Sequence, residues 1–263
     1  MTATIFSINY CPVKSVSIQS IDACKIKKNI GIIGDRIFAF SQNLEPDKAQ
    51  LFEKNPEERK GKWSKILTLK NSPVLNKYNF LYKKNKLTLT SKDKEILSID
   101  VNELNERQLL SNKIIELESS LKEPIVLMKN EIFPFFDTTI SNKVDFINSV
   151  SLLNVQSIND FQKKIDKKIE ISRFRGNLCV DGIKPWVERD WIGKIIKINN
   201  ISFKVEKNIP RCVAINLKPT TEDNSLNLLQ SLKKTYNHFD MGVYLSALED
   251  GNISLGDKLE ITN

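Results

Sequence analysis

Apolar and polar positions alternate with a period of two through much of the first hundred residues, the pattern of strands with one buried face. "ATIFSIN" (3–9), "SIQSIDACKIK" (17–27) and "RIFAFSQ" (36–42) read as strands, the last entered through a Gly34-Asp35 turn. "KILTLK" (65–70), "FLYKKNKLTLTS" (80–91) and "EILSIDV" (95–101) continue the series, with Lys84-Asn85 as a hairpin tip. Residues 43–62 are polar and hold Pro46, Pro56 and Gly61, which predicts a long loop.

The period then changes. In "ELNERQLLSNKIIELESSLKE" (103–123), Leu110, Ile114, Leu117 and Leu121 recur at helical spacing, with Asn102 as the expected N-cap and Pro124 beyond the end. "PIVLM" (124–128) reads as a buried strand and "SVSLLNVQ" (149–156) as a short helix. "SINDFQKKIDKKIEI" (157–171) predicts a helix opened by Ser157 and Asp160. Phe161, Ile165 and Ile169 share its apolar face, and Lys163, Lys164, Lys167 and Lys168 its solvated one. Strands return in "NLCVDG" (177–182). "KIIKINNISFKVEK" (194–207) reads as a hairpin around Asn199-Asn200, and "GVYLSALEDGNISLGDKLEI" (242–261) as another, turning at Asp250-Gly251. Between these two, "SLNLLQSLKKTY" (225–236) has a helical apolar face. Strands, then helices, then strands predict an α+β protein whose β parts curl into barrels.

Charge changes this picture little. The net charge is +8, carried by 33 lysines and only seven arginines, in a chain also rich in asparagine and isoleucine. All three residue types share A/T-rich codons, and the lysines are scattered, so no specific nucleic-acid partner is expected. No apolar run reaches the ~18 residues of a membrane span, and "MTATIFSINY" lacks a basic start followed by an apolar block. The expectation is a cytoplasmic protein. The four cysteines (Cys11, Cys24, Cys179, Cys212) show no C-x-x-C spacing, and a single histidine does not complete the usual zinc site.

Arginine is more informative because it is scarce. Four of the seven, Arg36, Arg173, Arg175 and Arg211, fall in short segments with turn chemistry: "GDR" (34–36), "SRFRGN" (172–177) and "PRC" (210–212). A guanidinium fork suits phosphate and carboxylate. Arg173 and Arg175, two apart, are expected on the same side of an extended chain, with an anion between them. "YCPVKS" (10–15) and "MGVY" (241–244) complete the set, and in "PRC" a thiol follows a guanidinium.

Together these segments resemble the MOSC-domain family, named after the C-terminal part of molybdenum-cofactor sulfurase. The resemblance includes the β-barrel region that precedes the domain in mitochondrial amidoxime-reducing components and their bacterial relatives. "YCPVKSVSIQSIDACKI…GIIGDRIFAF", "VDFINSVSL", "RFRGNLCVDG…PWVERDW", "IGKIIKINNISFKV…PRC" and "DMGVYLSALEDGNISLGDKLEI" occur in family order over nearly the whole chain. The resemblance implies a MOSC-type β-barrel core with flanking helices over residues 101–263, packed against a smaller β-barrel-like domain over 1–100.

It also implies a molybdenum–molybdopterin cofactor. Cys212 falls on the family's metal-ligating cysteine, and a thiolate is a soft ligand that suits a sulfur-bound metal. Lys14, Ser15, Arg36, Arg175, Asn177, Arg211 and Tyr244 fall on cofactor-contacting positions. Arg173, Asn148 and Ser149 are added beside them, and His238 is the available proton donor. The sequence departs from the family at Gly176, where proline is frequent, and at Pro210, where the amidoxime-reducing relatives often have serine.

The implied activity is reduction of N-oxygenated or similar small substrates. Electrons would come from a separate ferredoxin-, flavodoxin- or reductase-like protein, since no iron–sulfur cluster and no pyridoxal-phosphate desulfurase domain is expected in this chain. The alternative is a sulfur-carrier or cofactor-transfer protein working through a Cys212 persulfide.

Overall fold

The computed structural model describes residues 3–136 and 149–262. Strands β1 (Ala3–Tyr10), β2 (Gln19–Ile21), β3 (Ala23–Lys27), β4 (Gly31–Ile32) and β5 (Phe38–Gln42) occupy the first alternating stretch. Residues 43–62, expected as a loop, contain helix α1 (Pro46–Lys54). Pro46 stands in the first turn, where its missing N–H removes no hydrogen bond. Asp47 complements the helix dipole, and Ala49 and Phe52 are buried. "KILTLK", expected as a strand, joins no sheet beyond a single bridge between Ile66 and Ser41. Ile66, Leu67 and Leu69 are nevertheless buried, so the alternation there reports burial and not strand pairing.

Strands β6 (Tyr78–Lys83) and β7 (Lys86–Ser91) form the expected hairpin. Lys84 and Asn85 both take positive φ, 49° and 63°, the tip geometry whose twist matches the strands. After β8 (Lys94–Asp100), α2 (Leu104–Leu117) starts from Glu103 without a side-chain cap, not from Asn102. It buries Leu110 and Ile114 and leads to β9 (Ile125–Lys129).

"SVSLLNVQ", expected as a helix, is instead β10 (Val150–Asn154), buried at every position. A strand covered on both faces shows no alternation, so the sequence alone does not separate it from a buried helix. Helix α3 (Val155–Ile165) starts earlier than expected. The Asn154 side chain accepts the Gln156 N–H at 3.0 Å, while Ser157 turns inward and donates to Glu188 at 2.7 Å. Strands β11 (Leu178–Asp181), β12 (Ile195–Ile198) and β13 (Ile201–Pro210), helix α4 (Leu228–Tyr236) and strands β14 (Asp240–Ala247), β15 (Gly251–Ser254) and β16 (Lys258–Thr262) complete the chain.

Seven strands close a barrel in the order β1-β11-β10-β14-β13-β12-β16 and back to β1. All neighbours are antiparallel except β10 and β11. The interior is apolar, with Ile5, Leu152, Val180, Phe203 and Leu245 in one cluster closed by Trp191. The expected β14–β15 hairpin is not one: β15 pairs with β3, and β16 with β12 and β1.

The pairing also crosses the boundary expected near residue 100. β1 belongs to the barrel, whereas α2 and β9, beyond that boundary, complete a core with β5, β6 and β7. A barrel has no free edge, and here the strand that removes it comes from the far end of the chain. No helix among the described residues is long and apolar enough to cross a membrane.

Gly242 and Gly256 both hold φ near +80° but differ in surroundings. A Cβ on Gly242 would lie 2.3 Å from the Leu152 carbonyl oxygen, while one on Gly256 meets nothing within 4 Å. Gly256→Ala is expected to cost about 1 kcal/mol of backbone strain. Gly242→Ala adds overpacking and is expected to cost about 3 kcal/mol. Urea unfolding of the two variants measures the difference.

Candidate functional site

Where β1 leaves the barrel, two turns are joined by one backbone and one side-chain hydrogen bond. The Cys11 N–H donates to Asp35 Oδ1 at 2.7 Å, and the Arg36 N–H donates to the Cys11 carbonyl at 2.7 Å. Asp35 is buried, and its carboxylate also takes the Arg36 guanidinium. That guanidinium lies 4.9 Å from the Phe136 ring centroid. Lys14 is buried, its Nζ 5.1 Å from the ring centroid of Trp63, and Ser15 beside it has φ +65°.

The β10–β11 connection supplies the second cation. A short 3₁₀ turn over Ile171–Phe174 ends at Arg175, which takes the left-handed conformation at φ +48°. Gly176 follows because a Cβ there would lie 2.4 Å from Leu153 Cδ1. The Arg175 guanidinium reaches Asn76 Oδ1 at 3.2 Å and the Ser17 carbonyl at 3.4 Å, and its buried Nε has no hydrogen-bond partner. Among the described residues no carboxylate faces it; the groups that shift its titration are Cys11, Arg36 and Cys212.

Arg173 does not share a side with Arg175, because the segment is a turn and not an extended strand. It is buried and reaches Glu170 at 2.7 Å, the Asn216 carbonyl at 2.7 Å and Asp223 at 3.6 Å. Each of its three nitrogens thus has a partner within the fold, and two of those partners are carboxylates.

The end of β13 supplies the third cation and the thiol. The Arg211 N–H donates to the Phe239 carbonyl at 2.9 Å, and the guanidinium donates to the carbonyls of Met241 and Phe174. Arg211 therefore ties the strand end that carries Cys212 to β14 and to the turn before Arg175. Cys212 is exposed, whereas Cys11, Cys24 and Cys179 are buried. Beyond Cys212, Ala214 and Leu217 pack on the N-terminal core, and the Asn76 amide donates to the carbonyls of Lys218 and Thr221 at 2.6 and 2.7 Å. Both halves of the chain thus frame one site.

Asn177 is engaged within the fold. Its Oδ1 accepts from the Ser151 hydroxyl at 2.7 Å and the Ser151 N–H at 3.1 Å, and its Nδ2 donates to the Asn9 carbonyl at 3.2 Å. Tyr244, half-buried, pairs with Ser151 and Lys207 in the sheet, and its phenol is close enough to influence Arg36 and Arg211. Ser149 is buried at the start of β10, and Asn148 lies outside the described residues.

The electrostatics follow from these partners. Burial pushes the Arg36 guanidinium down, but the Asp35 carboxylate more than offsets it and holds the cation firmly. Burial and the neighbouring Arg36 charge lower Arg175, although the two thiols partly compensate. Burial pushes Arg211 down to about 10. Only Arg36 of the three guanidiniums is paired with a carboxylate, so the unbalanced charge falls on Arg175 and Arg211, of which Arg211 is held by carbonyls. An anion entering beside Arg175 restores what desolvation and repulsion removed.

His238 is one residue beyond the Arg211–Phe239 backbone bond, as Cys212 is on the other strand. Its ring stacks on Tyr236 at 5.7 Å and meets the edge of Trp186 at 5.7 Å. Its Nδ1 accepts the Asp240 N–H at 3.1 Å, which leaves the Nε2 proton as the donor of a neutral ring. Burial and the Arg189 cation push this imidazole below its usual range.

Asn76, Ser17 and Cys11 belong to the site without having been singled out from the sequence. Cys11 stood in a quoted segment, but Asn76 is 99 residues from Arg175 and nothing local marks it. A separate cavity of about 440 Å³ between α1, α2 and β9 shares no residue with this cluster.

Pyrophosphate is expected to raise the thermal midpoint of the wild type, by the linkage that gives about 2.7 kcal/mol at a hundredfold excess over Kd. Arg175→Gln is expected to abolish that rise. Arg173→Gln should be less stable yet retain it, as read by a melting series at fixed salt.

His238 binds fewer protons folded than unfolded below the ordinary imidazole pKa. Acidification through about pH 6.5 should therefore lower stability in the wild type more than in His238→Gln. Urea midpoints across pH 5 to 8, bracketing the imidazole range, check the difference.

A family model described as "MOSC domain" matches residues 146–260. In sequence, the chain is 26% identical over 157 residues to mitochondrial amidoxime reducing component 2 of Bos taurus, a match covering 55% of this chain and 45% of that one. It is 30% identical over 110 residues to molybdenum cofactor sulfurase of Caenorhabditis briggsae, covering 40% of this chain and 15% of that one. The chain spans less than half the length of these curated relatives. In structure it is similar to the YUAD protein of Bacillus subtilis, with TM-score 0.43 and 11% identity over 99% of this chain and 96% of that one.

Proposed function

We propose, from the match of residues 146–260 to the MOSC domain model, that the protein binds a molybdenum cofactor at the arginine–cysteine cluster and acts as an oxidoreductase. The reading rests on one observation: an exposed thiol, Cys212, neighbours a cluster of three guanidinium groups of which only Arg36 is paired with a carboxylate. The residues fit an anionic pterin. Arg175, with its orphaned Nε, and Arg36 would hold the anionic tail, with Lys14, Ser15 and Tyr244 as further contacts. Cys212 offers a soft ligand. Arg211 acts by position, because carbonyls occupy its fork and hold the Cys212 strand end in place. Arg173 and Asn177 act through the fold alone.

When bound, the cofactor supplies a metal that stores two electrons and accepts oxygen. The substrates are N-oxygenated or similar small molecules. The overall conversion takes two electrons from a separate donor protein and two protons, and releases water. His238, with its Nε2–H as donor, is the proton donor of this reading, since it stands opposite Cys212 across the Arg211–Phe239 backbone bond. The relatives named for an amidoxime reducing component and for a sulfurase are consistent with either of two uses of Cys212. The exposure of its thiol also suits a persulfide carrier.

Protein purified from a host that makes the cofactor is expected to carry molybdenum and pterin in near-stoichiometric amounts. Cys212→Ser should lose the metal, and reductase activity on hydroxylamines and amidoximes with an artificial donor should fall by about a thousandfold or more. Metal-free wild type with thiol-releasable sulfur on Cys212 overturns the oxidoreductase in favour of the carrier.

A further inference from the structure

Helices α3 and α4 pack side by side, with the Phe161 and Tyr236 rings 5.9 Å apart. Their outer surface is strongly basic. Lys163, Lys164, Lys167, Lys168, Lys233 and Lys234 are all exposed. Two of these lysines are directed by aromatic rings: Lys164 Nζ is 4.6 Å from the Tyr236 centroid and Lys233 Nζ 5.5 Å from the Phe239 centroid. The acidic groups on these elements compensate little. Asp160 is already taken by Trp186, Tyr236 and Lys164, and Asp166 is the other.

Three features separate this surface from the scattered lysines elsewhere. It carries an exposed aromatic, Phe239, at its border, and an aromatic anchor within a charged rim is the anatomy of a protein interface. The helices rest on a rigid base, because Asp160 joins Trp186 and Tyr236 at 2.7 and 2.8 Å and the Trp186 and Tyr236 rings meet at a tilt with centroids 4.2 Å apart. The border also adjoins the site, since the Phe239 carbonyl receives the N–H of Arg211, the residue before Cys212.

We infer that the lysine face of α3 and α4, with Phe239 at its edge, is the docking surface for a small acidic electron-transfer protein. The inference rests on the reading that electrons reach this chain from a separate protein. Charge complementarity selects the partner. An acidic surface is attracted from a distance and released by salt, giving the fast, weak association that a donor turning over many times requires. An interface below about 1,200 Å² suits such an encounter.

The test uses the full chain and two purified acidic probes, a [2Fe–2S] ferredoxin and a flavodoxin, with binding measured by calorimetry at low and at physiological salt. At least one probe is expected to bind with micromolar Kd, weakening about tenfold or more with added salt. Lys163→Glu/Lys234→Glu, at positions outside the ring contacts, should weaken binding about tenfold. Phe239→Ser should weaken it with less salt dependence lost. Lys83→Glu/Lys86→Glu, the same charge change on the exposed β6–β7 hairpin, should leave it within about twofold.

Equal loss in the two double variants, no binding of either probe, or tighter binding of the same face to single-stranded DNA or anionic vesicles overturns the inference. Molybdenum content is measured on the same preparation. Binding by metal-free protein sustains the docking surface while counting against the cofactor, so the two failures are distinguishable.

Discussion

Closure of the barrel by β1 is the constraint on which the site depends. The strand pairs with β11 along one edge and with β16 and then β2 along the other, so its two ends cannot move independently. Its last residue, Tyr10, leads directly into Cys11, which is fastened to both Asp35 and Arg36. Pairing at Ser7 and Ile8 with Cys179 and Leu178 thereby sets the distance between the Arg36 turn and the Arg175 turn. Backbone ladders position both cations, and neither depends on a flexible tether.

Bringing like charges together is costly in a partly desolvated place. The fold resolves this differently for each arginine. Arg36 has the Asp35 carboxylate, and Arg211 has carbonyl oxygens of Met241 and Phe174. Arg175 has one amide oxygen, one distant carbonyl and an unpartnered Nε. The incomplete member feels both the Arg36 charge and the exposed Cys212 thiol. Incomplete satisfaction at one point of an otherwise satisfied network is how a fold leaves a binding contribution to a ligand.

The glycines and small polar residues serve the same geometry. Gly176 and Gly242 let the β10–β11 connection and β14 approach Leu153 from two sides. Ser151 and Asn177 close the hydrogen bonds that this approach would otherwise leave open. The departure from the family's frequent proline at position 176 thus has a local cause in the packing of Leu153.

The residue types of the candidate site were visible in the order of residues, as scarce arginines in turns and one cysteine behind an arginine, and so was the tip Lys84-Asn85, whose φ values follow from local sterics. The α+β class was visible too, because strand and helix periods differ. What local patterning could not decide was partnership. The same run "SVSLLNVQ" satisfies a buried helix or a buried strand, and only two flanking barrel strands make it β10. Arg173 and Arg175 are alike in sequence, yet one faces Glu170 and the other Asn76, because a 3₁₀ turn and a left-handed residue separate them. Strand β1, from before residue 100, joins a barrel built from strands beyond it for the same reason. Composition along a chain records which residues seek burial, whereas the choice of which distant strand covers them belongs to closure of the whole barrel.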